Sequence, residues 1–116
     1  MLAPLAGFQV TINGRFWVTT EGNLIRLSSG RILLSYGNRN WGNYGVDARF
    51  SEDEGKSWGS PFRLAHCPYS DCGYPSSVEL PDGSLLTAYY TKVSDGFHYE
   101  MRVAALSLRG FTADAI

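Results

Sequence analysis

Apolar and polar residues alternate along most of the chain in short blocks separated by small polar or glycine-bearing clusters, so it reads almost entirely as strands and turns. Residues 8–12 alternate, Asn13-Gly14 is a type I′ hairpin signal, and 15–20 return as a second strand. Residues 24–27, the turn Ser28-Ser29-Gly30 and residues 31–36 form the next hairpin, whose near-continuous apolar run suits burial on both faces. A polar loop, 37–43, leads into 44–50, where Tyr44, Val46, Ala48 and Phe50 share one face. A short strand at 61–65 follows.

The pattern then starts again. Leu80-Pro-Asp-Gly83-Ser-Leu-Leu-Thr-Ala-Tyr89 matches Leu27-Ser-Ser-Gly30-Arg-Ile-Leu-Leu-Ser-Tyr36 position for position, at an offset of 53. The second copy is expected to have strands at 77–80, 85–91 and 99–108, and no fourth. Four strands per copy at this period describe a propeller blade with a loop insertion.

Between the strands of the first copy, residues 51–58 read Ser-Glu-Asp-Glu-Gly-Lys-Ser-Trp. Ser51 and Asp53 are placed to hydrogen-bond the turn backbone, Gly55 supplies a positive φ, and Trp58 is expected to fold back as an apolar plug. This is a structural clip whose carboxylates are not assigned to catalysis. The stretch fits Ser-x-Asp-x-Gly-x-Ser/Thr-Trp and resembles the Asp box (BNR repeat) of the sialidase (neuraminidase) superfamily of β-propellers.

Composition narrows the function classes. The chain has 116 residues, 44% hydrophobic and 14% aromatic, which excludes a disordered tail. A net charge of −1 gives no electrostatic case for nucleic acid. No run reaches transmembrane length, and residues 1–7 lack the basic stretch of a signal peptide. Cys67 and Cys72 are spaced for a small local disulfide, but without a second pair they make a poor zinc site. His66 and His98 have no spaced partners, and no metal is assigned.

Strand alternation sorts the connections into two rims. Residues 28–30, 81–83 and 51–58 share one, and 37–43, 66–76 and 92–98 share the other, whose long polar and aromatic loops suit function. On that second rim, Tyr74-Pro-Ser-Ser-Val-Glu-Leu-Pro-Asp-Gly83 resembles the sialidase segment in which a tyrosine precedes an inner strand and a Leu-Pro-Asp-Gly turn. The resemblance, spanning about 24–108, implies one β-propeller domain over 1–116. Residues 8–66 hold a hairpin and a complete blade, and 67–116 an incomplete last blade, of an expected six-bladed ring.

It also implies an exo-α-sialidase that releases terminal sialic acid with retention, through a tyrosine nucleophile at Tyr74 or, alternatively, Tyr69 in Tyr69-Ser-Asp71. A phenol suits this substrate because a carboxylate nucleophile would be repelled by the carboxylate beside the anomeric carbon. Arg39 is the candidate for one arm of the arginine clamp, and Trp41 offers a ring face to a sugar. Glu79 falls near the opposite rim, so the base is expected from other blades, and Arg49 reads as a strand-face residue. No cofactor is implied. The implied partners are a sialylated glycan and the remaining blades. Asp boxes also occur in proteins without hydrolase activity, which leaves a non-catalytic module binding glycans or proteins as the other reading. A third is another glycoside hydrolase using two rim carboxylates.

Overall fold

A computed structural model describes residues 22–108, together with the backbone of two short strands before them. These are β1 (Val10–Ile12) and β2 (Phe16–Val18), paired antiparallel. Ile12 pairs with Phe16, so three residues separate the strands rather than the two expected from Asn13-Gly14, whose own conformation lies outside the described residues.

Two antiparallel sheets carry the rest. The first has four strands in sequence order: β3 (Asn23–Arg26), β4 (Ile32–Asn38), β5 (Gly45–Ser51) and β6 (Phe62–His66). The second has three: β7 (Cys72–Glu79), β8 (Ser84–Ser94) and β9 (His98–Ser107). The described residues are all-β, as the alternation predicts. They form two open sheets rather than a closed propeller.

The internal repeat is a repeat of register. Asn23 pairs with Ser35 and Arg26 with Ile32; 53 residues on, Ser76 pairs with Ala88 and Glu79 with Leu85. The turns match as well, since Gly30 N donates to Leu27 O and Gly83 N to Leu80 O, both at 2.9 Å. In the third strands Ile32 faces Ser51 and Leu85 faces Leu106, so β5 corresponds to β9 at an offset of 55.

The sheets pack face to face around Leu27, Leu33, Ala48, Phe50 and Leu85, with Phe62 stacked on Phe50 at 5.2 Å. A second cluster joins Val46, Cys67, Cys72 and Tyr89. Tyr44 packs against it, which puts Tyr44, Val46, Ala48 and Phe50 on one face as the alternation requires. Both cysteines are free and buried, where the sequence left a local disulfide open. Burial first, then the hydrogen bond with Cys67, holds the Cys72 thiol well above its ordinary range, so it stays protonated.

Residues 51–58 form the clip their residue types predict. Gly55 N and Asp53 N donate to Ser51 Oγ, and Ser57 N and Oγ donate to the two Asp53 oxygens. Trp58 folds back against Leu34, which Leu24 and Tyr36 also pack against. The clip is tied to the β3–β4 turn by Arg26, which donates to both oxygens of Glu54 at 2.6 and 2.9 Å. Glu79 accepts from Ser28 N and Oγ on this same rim.

Candidate functional site

Tyr74 was expected in a loop ahead of a strand at 77–80, but β7 begins at Cys72 and carries it within the strand. The reason is a bulge: Gly73 pairs with Tyr90 and the next pair is Ser76 with Ala88, so one residue too many is fitted into β7. Tyr74 absorbs it with φ at 47°, a region that costs a residue with a side chain roughly 1–3 kcal/mol. The bulge turns the ring outward, and Tyr74 is 54% exposed.

The neighbouring sheet reaches this rim through two glycines. A Cβ at Gly73 would lie 3.3 Å from Gly37 Cα, and one at Gly37 would lie 3.1 Å from Cys72 O. Backbones of β4 and β7 touch there, which only glycine permits. Arg39 follows Gly37 by two residues and Tyr74 follows Gly73 by one, and the Arg39 charge acts on Tyr90, whose ring meets that of Tyr74.

Beneath Tyr74 lies an aromatic platform that the sequence reading missed. The Tyr74 and Tyr90 rings are 5.6 Å apart, and Tyr90 and Tyr99 are 6.1 Å apart. Asp71 fixes the platform, accepting from Tyr90 Oη at 2.6 Å and Tyr99 Oη at 2.7 Å. Those two bonds, Tyr90's first, hold the Asp71 carboxyl below its ordinary value, with the charges of Arg39 and Lys92 adding to the effect. Burial, then Asp71, pushes the Tyr90 phenol up to about 12, while Arg39 opposes. Asp71 stands in the Tyr69-Ser-Asp71 stretch singled out above for its tyrosine; its carboxylate's role and its two phenol partners, 19 and 28 residues away, were not foreseen.

Tyr69 is separate from this platform. Its hydroxyl donates to Asp95 at 3.3 Å and the Lys92 ammonium lies 5.1 Å from its ring centre. Burial, then the Asp95 charge, raises its pKa, which disfavours a phenolate. Trp41 is 91% exposed and meets Tyr44 edge-on at 6.1 Å.

Nearby, Arg63 is occupied with structure. It pairs with Asp47 and donates to Tyr44 O, Asn43 O and Asn43 Oδ1, pinning the 39–44 loop. Asn38 donates to the other Asp47 oxygen. Arg49 donates to Tyr36 Oη at 3.3 Å, in keeping with a strand-face role. Shallow grooves lined by Leu27, Ser28, Glu79 and Gly83 lie on the opposite, tight-turn rim, away from Tyr74. Among the described residues, no group of three His, Cys, Asp or Glu side chains converges on a metal position. Comparison with protein-family models, curated proteins and solved structures finds no match for the chain.

Proposed function

We propose that the rim around Tyr74 is the tyrosine-bearing part of a sialidase-like, retaining glycoside hydrolase site within a β-propeller. The observation that carries the reading is the strained, outward Tyr74 seated on the Tyr90–Tyr99 platform beside Arg39. Strain held in place by its surroundings is a mark of a positioned group. In the proposed reaction a base removes the phenol proton as Tyr74 Oη attacks the anomeric carbon and the glycosidic oxygen departs with a proton. Water then displaces the tyrosine and restores the phenol, with net retention. Arg39 grips the sugar carboxylate through two parallel hydrogen bonds.

Glu79 is unsuited as the base, because both its oxygens are held by Ser28 on the far rim. Asp71 is unsuited too, since its oxygens hold Tyr90 and Tyr99. The base, the acid and the other arginines therefore belong to further sheets of the ring in this proposal.

One observation favours a second reading: among the described residues no carboxylate is bonded to the Tyr74 phenol. A glycan-binding module without hydrolysis needs only the aromatic rim and Arg39. The test is turnover of a fluorogenic α-sialoside by the protein carrying this chain. Tyr74→Phe should lower kcat by about 10³-fold or more and Tyr69→Phe by less than about twofold. Arg39→Ala should lower kcat/KM by about 10- to 100-fold. Binding of sialic acid that depends on Arg39, without turnover, would establish the binding module instead.

A further inference from the structure

Among the described residues the last strand has an unpaired outer edge with a definite chemistry. β9 ends the sheet order, and among the described residues no strand pairs with its outer side. Leu108 N donates to Gly83 O, which sets the phase of the ladder: even-numbered residues of β9 turn their backbone groups toward β8. The N–H and C=O of Tyr99, Met101 and Val103 therefore point out of the sheet edge.

This edge is long and regular, with the charges of Glu100 and Arg102 alone to blunt it. Between Tyr99 and Ser107 the register with β8 is unbroken, and the strand contains neither proline nor lysine. Tyr99, Met101 and Val103 also form an exposed apolar row on the face turned away from the first sheet. On the other face Arg102 donates to Glu100 at 3.0 Å, both partly exposed.

We infer that β9 pairs antiparallel with β9 of a second copy of this chain, with Met101 on the two-fold axis. The backbone phase requires Tyr99, Met101 and Val103 to meet residues of the same outward set. Of the registers this allows, centring on Met101 places Glu100 opposite Arg102 of the second copy, at both ends of the seam. Centring on Arg102 or on Glu100 sets like charges directly opposite, which is unfavourable. The same register sets Tyr99 opposite Val103 of the second copy, an aromatic and β-branched pair, and continues the apolar row across six strands. An isologous contact of this kind closes on itself as a dimer.

Sedimentation of the 116-residue chain from low micromolar to hundreds of micromolar tests this. The expected result is a reversible dimer, with amide protection at Tyr99, Met101 and Val103 that rises with concentration. Arg102→Glu opposes carboxylates at both seam ends and should weaken the dimer about tenfold or more. Adding Glu100→Arg should restore it. Met101→Pro removes an N–H that no strand of the same sheet uses, so it should give monomer with unchanged circular dichroism and melting. Three results would overturn the inference: a monomer throughout, an association indifferent to both the charge reversal and Met101→Pro, or concentration-independent protection showing the edge filled by another strand of the same chain.

Discussion

β5 and β9 are the same strand of the repeat in two surroundings. Six of seven β5 residues are buried, whereas eight of ten in β9 are exposed. Val46 corresponds to Met101 and Ala48 to Val103; the first of each pair is wholly buried, the second 73% and 64% exposed. Similar side chains thus serve as core in one sheet and as surface in the other. The difference is what lies alongside: β5 has β6 at its outer edge and the second sheet over Val46 and Ala48, whereas among the described residues β9 has no strand at its outer edge and no sheet over Met101 and Val103, only its other face packing Ala104 and Leu106 on the first sheet. Burial belongs to the neighbour as much as to the residue.

The largest effect should come from the charged pairs of the two strands. The Asp47–Arg63 pair is 8% and 16% exposed, and three further bonds tie Arg63 to the 43–44 backbone and Asn43. Asp47→Ala leaves that guanidinium unpaired and should cost about 3–5 kcal/mol in urea unfolding. Arg102→Ala, at a pair 43% and 53% exposed, should cost under about 1 kcal/mol. Equal costs would break the comparison.

Next come the apolar equivalents. Val46→Ala should destabilise by about 2–3 kcal/mol through lost burial and the cavity left behind. Met101→Ala should change monomer stability by less than about 0.5 kcal/mol, measured by the same unfolding experiment below any association. A large loss at Met101 would mean that the outer face of β9 is covered within the chain.

The smallest effect concerns the clip, which the second sheet lacks. Hydrogen bonds from Ser57, first through its hydroxyl and then its backbone, hold the Asp53 carboxyl down at about 2. Its folded value is depressed, so its contribution is full above the unfolded value of 3.8 and is lost as pH falls toward about 2. Thermal melts across that window should show the wild type losing more stability on acidification than Asp53→Asn does. Identical slopes would remove Asp53 from the account of the clip.

Much of this was legible beforehand. The 51–58 clip named its own hydrogen bonds because every partner lies within four residues. The repeat pointed to the β3–β4 and β7–β8 hairpins because a tight turn with glycine fixes pairing locally. Tyr74 was singled out by resemblance, but its bulge and its platform were not foreseen, since Tyr90 and Tyr99 arrive from two other strands. The Gly37–Gly73 contact was equally silent, because a missing Cβ signals a close approach without saying to what.

Sequence alone determined the strands, the clip, the repeat and the sorting of connections into two rims, all set by interactions a few residues long or by period-two alternation. Tertiary structure alone decided that Asp71 would grip two phenols, that the backbones of Gly37 and Gly73 would meet, and that one copy of the repeat would be core where the other is surface. Those outcomes depend on which sheet lies against which, and side-chain alternation within a strand specifies a face without specifying its occupant.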